Sequence, residues 1–486
     1  MLNLSRLFSP NPDDIKGMPI TKDAIAELLK VSPEALAAFE DSYRKGVLDN
    51  GPISDNFFEV NAKQASIDIR REDLDARLKA LNDRIINELL AQADIMEYDG
   101  EGIAFYPPKT SIADGTPLVT ASEINSLPVS VRPQLSGFLM KKDTAGDDSS
   151  ATVLSNYVLW LKERDPEKKK WLYGFFRQGL DILDLDGLLY EMLGTNPNSM
   201  SYWLPSLADA VHKTGFFRIP KTKIMRVPLT LLQLTRLDYS TLTPGTMDIV
   251  DRFCFQAFGL DESKDYFIKT GTFSSKYDFR NAKVTGAKEV RELGEYLLFI
   301  QHQAVMMAGP LAQPGIYGVS TTNEWVVREF IEDVENNPCI YKGLPLHTEY
   351  RVFVDADEKK VLGMNPYWDP EVMKQRFGYE TDAANPHQVH DYIIYKAHEN
   401  TLMGRYYKDG GRVRTEINRL LPFLDLPGQW SIDVMQNGDD FWIIDMALAE
   451  NSALKECVPV GLLRHREENW LPLLSGAGWK GEHNDR

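Results

Sequence analysis

Cysteine is nearly missing from this chain. Only Cys254, Cys339 and Cys457 occur in 486 residues, far apart and without a C-x-x-C pair. That scarcity excludes a disulfide framework and a cysteine-built zinc site, and the three are expected to be buried, reduced thiols. Long apolar runs are also lacking. No stretch approaches the ~20 uninterrupted apolar residues of a membrane span, and the opening MLNLSRLFSPNPDD has no apolar core followed by a cleavage site. The chain therefore reads as cytoplasmic, with no membrane partner. Positive charge is in deficit, 54 basic against 71 acidic residues for a formal charge of -17. Bulk attraction to nucleic acid is thereby excluded, while a local basic pocket for a small anion remains open. Neither His302 nor His390 stands at metal spacing with an acid partner, so both read as helix-surface or core residues. No internal repeat or low-complexity tract is visible.

What is present is globular: 43% hydrophobic and 26% charged residues, in a chain too long for one core, which predicts two or three domains. Residues 1–105 read as a helical region. Thr21 and Ser32 are helix caps, Pro33 opens a helix, and apolar residues from Leu74 through Leu78, Leu81 and Ile85 to Leu89 step by three or four. The acidic EALAAFEDSY argues against a DNA-binding helix pair. The long helix, expected to run from Lys63 to about Met96, is either an interaction arm or a helix lying on the body. Residues 106–209 read as an irregular, proline-rich connection followed by aromatic-rich helical segments. Residues 210–460 switch to short strands between helices, and 461–486 form a tail. The fold class this predicts is α+β, preceded by a mainly α-helical N-terminal region.

Chemistry collects after residue 210. FFRIPKTKIM, residues 216–225, is a strand candidate with Arg218, Lys221 and Lys223. The strand Tyr266 to Ile268 delivers Lys269 into a loop with Gly271, Ser274 and Ser275, followed by Lys276. An ammonium beside small residues with free amides and hydroxyls suits a polyphosphate, although a solvated lysine at a strand end has the same signature. NEWVVREFIEDVE is a strand that turns acidic, and LHTEYRVFVDADEKKVLG is a hairpin with its turn at DADEKK. Arg351 lies mid-strand there; facing inward, a guanidinium is tolerated when it meets carboxylate or phosphate.

WSIDVMQNGDDFWIIDMALAEN, residues 430–451, is a second hairpin turning at Asn437 and Gly438. Strict alternation puts Ser431, Asp433 and Met435 on one face of its first strand, and Phe441, Ile443 and Asp445 on one face of its second. Carboxylates inside apolar strands are costly unless met by positive charge, and hard oxygen ligands on two strands are what magnesium uses beside substrate phosphates.

Taken in order, Lys221, Lys269, REFIED, TEYRVFV and the Asp433/Asp445 hairpin resemble the ATP-grasp superfamily over roughly residues 210–460. The serine-bearing loop after Lys269 is similar to divergent phage and bacterial members, and to the eukaryotic ATP-grasp chaperones that assemble an initiation factor. The resemblance implies two α+β subdomains clamping Mg-ATP. It implies Lys221 and Lys269 as phosphate-holding lysines, with Ser275 in the adjoining loop. The backbone of Phe330 and Ile331 would read adenine, with Glu329 or Glu332 nearby. Glu349 would be a ribose- or phosphate-side ligand, Arg351 the arginine stabilising transferred phosphate, and Asp433 and Asp445 the magnesium carboxylates. Asp445 is followed by Met446 and Ala447 where the family has a spacer and an asparagine; Asn451, or Glu450, is the candidate substitute.

The resemblance implies an ATP-dependent ligase joining a carboxylate to an amine through an acylphosphate, with Lys269 and Arg351 as catalytic residues and GMNPYWDP as a candidate acceptor segment. The acceptor, a small molecule or a protein or peptide, is not identified. A second reading, on the same pocket, is a non-ligating ATP-binding assembly factor. A third, a covalent nucleotidyltransferase using KYDF at Lys276 to Phe279, lacks the glycine of the KxDG signature.

Overall fold

The computed structural model describes residues 71–110, 118–138, 164–166, 168, 190, 193–235, 242–308, 319–377 and 386–464. The expected helix pair around Thr21 and Ser32, most of the aromatic-rich helical segments and all but the first residues of the tail lie outside the described residues. The fold is mixed α+β. Among the described residues no helix is long and apolar enough to cross a membrane.

The long amphipathic helix is α1, Arg71–Gln92. Its apolar stripe buries Ile85 and Leu89 completely, with Leu74, Leu78 and Leu81 packed at the margin, so it lies on the body of the protein. Full burial of such side chains contributes roughly 1.5–3 kcal/mol each. The helix ends before Met96 because DIMEY alternates with period two, burying Asp94, Met96 and Tyr98. Strands β1 (Asp94–Tyr98) and β2 (Ile103–Tyr106) form a hairpin where the sequence predicted the end of a helical region. They join a six-stranded antiparallel sheet in the order β2-β1-β4-β7-β5-β6, with β4 (Thr222–Arg226), β5 (Tyr266–Thr270), β6 (Lys283–Val284) and β7 (Glu324–Glu329). The boundary expected near residue 105 is thus bridged by a continuous sheet.

The stretch predicted as one strand at 216–225 is two. Pro220 lacks the N–H that a ladder needs, and the chain crosses there from β3 (Phe217–Arg218) to β4, in different sheets. The second sheet has the order β11-β10-β12-β13-β3, from β10 (Thr348–Asp355), β11 (Lys360–Pro366), β12 (Gln429–Asn437) and β13 (Asp440–Leu448), with β3 parallel to β13 and the rest antiparallel. A short pair, β8 (Cys339–Ile340) and β9 (Leu344–Pro345), lies apart.

One core lies against the first sheet. There Trp325, Val327 and Ile268 meet α1, α3 (Pro244–Phe258) and α4 (Leu293–Met307). A second core joins Val326 and Ile224 to Tyr350, Val352, Ile432 and Val434, covered by α2 (Met200–Thr214) and α5 (Pro386–Leu420). Strand β7, EWVVRE, buries both faces, Trp325 and Val327 toward one core and Val326 toward the other, with Glu324 and Arg328 buried among them. Of the cysteines, Cys254 is buried but Cys339 is exposed and Cys457 half-buried, against the expectation that all three are interior. Cys339 starts the short strand β8, which lacks a covering layer over that side chain.

Candidate functional site

Alternation in the two sheets decides which charges meet. Lys269 pairs with Val326 across β5 and β7, and Phe267 with Arg328, so Phe267, Lys269, Val326 and Arg328 share one face of the first sheet. In the second sheet Arg351 pairs with Asp433, and Asp433 with Asp445. The two charged faces confront each other across a cleft with about 900 Å³ of empty space, open solvent included.

Asp445 reaches that face through a β-bulge. Val434 pairs with Ile443 but Asp433 pairs with Asp445, leaving Ile444 as the extra residue. Without the insertion Asp445 would stand opposite Ile432 and point into the core, since a one-residue slip flips every side chain. The alternation expected from sequence, with Phe441, Ile443 and Asp445 together, is corrected accordingly: Phe441 and Ile443 are core residues at 1% exposure each, and Asp445 lines the cleft. Arg328 holds the bulge. Its Nη1 donates to the Ile444 carbonyl at 2.5 Å and its Nε to Thr222 Oγ1 at 3.2 Å, whereas the buried Nη2 has no hydrogen-bond partner among the described residues.

Two ion pairs span the cleft floor. Lys269 Nζ lies 3.0 Å from both carboxylate oxygens of Asp445. Arg351 grips Asp433 with two bonds, Nε to Oδ1 at 2.8 Å and Nη2 to Oδ2 at 2.6 Å. Burial pulls the Lys269 ammonium below its usual range; Asp445 opposes this and Arg328 adds to it. Burial likewise draws Arg328 down to about 10, so it stays charged at neutral pH. Lys276 Nζ sits 4.2 Å from the Tyr367 ring centroid and the Arg351 guanidinium 4.6 Å, giving one tyrosine two cationic neighbours.

Glu349 also lines the cleft, buried at its wall, and accepts from Trp368 Nε1 at 3.2 Å. Burial raises it to about 7 against the pull of Lys276. A carboxyl whose folded value exceeds its unfolded value of 4.5 stabilises the fold below that value, and the contribution is lost as pH rises toward 7. Glu349→Gln should therefore flatten the fall in stability between about pH 5 and 7, by at most about 3 kcal/mol, in urea unfolding across that range. Asp251 and Glu324, also raised to about 7 mainly by burial, keep titrating in the variant. An unchanged pH slope would mean that Glu349 is already ionised in the folded protein.

The remaining sequence-derived candidates divide. Glu329, Phe330 and Ile331 line the cleft at its linker end. The Phe330 N–H is committed to the Asp265 carbonyl at 3.0 Å, and Glu329 pairs with Lys264 at 2.5 Å. Ser275 is buried one residue behind the cleft-lining Ser274. Lys221 is exposed and lines a neighbouring groove beside Tyr98 and Gly100, because it precedes β4 and escapes that strand's alternation. It does not join Lys269 in the cleft. Asn451 sits on the turn Ala449–Asn451, outside the cleft lining, and its Oδ1 accepts from Asn198 at 3.3 Å. In the GMNPYWDP segment Tyr367 and Trp368 line the cleft, while Asp369 caps the following helix through Glu371 and Val372 N–H.

Arg328 is absent from the sequence-derived candidates, and Lys276 enters them only as the residue closing the Lys269 loop and as a covalent nucleophile. The available signal was a second unpaired charge inside an apolar strand, EWVVRE, the same pattern that marked Arg351. Among the described residues no three His, Cys, Asp or Glu side chains converge as a metal site. Asp433 and Asp445, directly opposite one another, are the pair able to bind a divalent ion together with ligand oxygens. A deep apolar wall of Phe267, Phe279, Leu344, Met435 and Ile444 completes the cleft.

No family model matches the chain, and no curated protein does. Among solved structures it is similar to C-terminally truncated Cdc123 from Schizosaccharomyces pombe, at 16% identity and TM-score 0.30, covering 54% of this chain and 86% of that one. It is also similar to a second structure of Cdc123 from the same organism, at 15% identity and TM-score 0.29, covering 54% of this chain and 85% of that one. At these scores the likeness carries no argument about fold or function, and neither neighbour is a phage or bacterial protein.

Proposed function

We propose that the cleft binds a nucleoside triphosphate, ATP in the first instance, with a magnesium ion, between two α+β subdomains arranged as in the ATP-grasp superfamily. One observation carries this reading: Lys269, Lys276 and Arg328 converge with Asp433 and Asp445 between two facing sheets, with Arg351 gripping Asp433 beside the lining, in a chain whose net charge is -17. The unoccupied Nη2 of buried Arg328 is a charged donor in want of an acceptor, and a phosphate oxygen supplies one.

The donor set fits magnesium. That ion is held by one or two carboxylates together with phosphate oxygens and waters, which matches two facing aspartates better than an all-protein cage. When bound, the ion neutralises phosphate charge. Lys269 and Arg351 would hold phosphate oxygens, and Asp433 and Asp445, with which they pair in the structure, would hold the ion. The apolar wall and the Phe330–Ile331 linker suit a base.

Of the two activities on this site, the non-ligating binding module is the better supported. Phosphoryl transfer uses metal to neutralise charge developing in the transition state, and this cleft presents two metal carboxylates, with Asn451 bonded to Asn198 outside it. Ligation of a carboxylate to an amine, with Lys269 and Arg351 as catalytic residues, is the second reading; Tyr367 and Trp368 at the cleft wall favour an acceptor there. Calorimetric titration with ATP should show binding that tightens at least tenfold with magnesium, without steady ADP release. ADP release that depends on an added carboxylate and amine would establish the ligase instead, and absence of any nucleotide binding would end both.

A further inference from the structure

Six residues upstream of the expected nucleotide-binding region touch both sides of the cleft. Asn198 Oδ1 accepts from the Leu448 N–H at 2.7 Å, three residues beyond Asp445, and its Nδ2 donates to Asn451 Oδ1 at 3.3 Å. Two residues on, the Met200 N–H donates to the Gly271 carbonyl at 3.1 Å, two residues beyond Lys269. The Ser199 and Thr322 hydroxyls meet at 2.7 Å. Asn196 Nδ2 donates to Ser320 Oγ and to the Thr321 carbonyl, both at 2.9 Å, while its Oδ1 accepts from the Asn198 N–H at 3.0 Å. Ser201 donates to the buried carboxylate of Glu324, at the start of β7. Asn196, Asn198, Ser199 and Ser201 are all buried.

Hydrogen bonds of this kind exchange little net energy with water, but a buried partner left unmet costs substantially more, so the segment is held in one arrangement. At the opposite end of the cleft the sheets are joined by the Glu329–Ile331 linker. The chain also crosses between the sheets at Pro220, beside that linker; crossings gathered at one end permit hinge opening, and a further fastening at the Lys269 end opposes it.

We infer that Asn196–Ser201 is a clamp that fixes the separation of the two sheets, and that Asn198 is a positioning residue that sets the Lys269–Asp445 gap. The functional consequence rests on the magnesium-nucleotide reading, but the clamp itself does not. Asn198 has no contact with the cleft, and its effect passes through Leu448 to the strand that carries Asp445.

The test is amine-selective acylation of the nucleotide-free full chain, followed residue by residue by mass spectrometry. Lys269, 1% exposed and paired with Asp445, should label slowly in the parent and at least tenfold faster in Asn198→Ala, with Lys213 and Lys288 unchanged as exposed controls. Asn198→Asp keeps the acceptor for Leu448 and should restore slow labelling; if Asn198→Ala does not fold, Asn198→Ser takes its place. Equal labelling of Lys269 in the parent and the folded variant would overturn the clamp. In parallel, Asn198→Ala should lose about tenfold in affinity for Mg-ATP and less than threefold for adenosine, since only the phosphate end is displaced. Equal losses for both ligands would overturn the positioning role. A parent that binds neither ligand would defeat the nucleotide reading while leaving the labelling result to decide the clamp.

Discussion

Asp445→Asn should lower the affinity for Mg-ATP by about 100-fold, close to 3 kcal/mol, while leaving affinity for magnesium-free ATP within about threefold of the parent. The asymmetry follows from what Asp445 touches. Its two oxygens neutralise Lys269, and on the proposed reading they would be released to hold the metal when nucleotide binds. The amide is a poor magnesium ligand, so the metal-linked part of binding is lost. It is also neutral, so Lys269 meets phosphate without a competing carboxylate, and metal-free binding is spared. The Asp445 side chain is 37% exposed but Lys269 is 1% exposed, so the variant leaves a buried ammonium facing a neutral amide and should also lose stability, by up to roughly 3 kcal/mol. Calorimetry with and without magnesium, beside a urea melt, measures all three. Equal weakening under both conditions would remove Asp445 from the metal site, and an unchanged variant would remove it from the cleft's function altogether.

Arg328→Met should separate stability from binding. Arg328 is buried at 4% exposure and, among the described residues, makes two hydrogen bonds from its five donors. A buried cation so incompletely paired is expensive, and exchanging it for a hydrophobe of similar volume is often neutral or stabilising. The variant leaves the Ile444 carbonyl without its donor, which offsets part of the gain, so the unfolding free energy should move by no more than about 2 kcal/mol in either direction. Affinity for Mg-ATP should fall by roughly 100-fold, for loss of a charge-assisted phosphate contact and of the guanidinium that holds the bulge beneath Asp445. A variant that binds ATP normally would make Arg328 a fold residue and nothing more.

Much of the site was legible one residue at a time. Arg351, Asp433 and Asp445 each stand as a charge within an apolar strand, where an unpaired buried charge is costly; Lys269 is marked by the small-residue loop it enters, and Glu349 by the family resemblance alone. Arg328 carries the same mark, masked by the acidic residues that flank its strand. The hairpins were legible too, through Asn437–Gly438 and the DADEKK turn, since turn chemistry is local. Other features were not. The 94–98 strand was absorbed into a helix pattern because Ile95 and Met96 continue the apolar stripe, and only its partner β4 makes it a strand. Lys221 was placed with Lys269 by their order along the chain, but Pro220 and the sheet crossing send it to the far side of the linker.

The chain by itself determined its class, its strand-rich second half and the chemical identity of the groups that had to be paired, because periodicity, turn residues and the price of buried charge act over a few neighbours. Only the tertiary structure decided which charge meets which. The bulge at Ile444 turns Asp445 from the core to the cleft, and the Asn196–Ser201 segment ties two strands nearly 180 residues apart. Register and closure are set by partners distant in sequence, so no local pattern contains them.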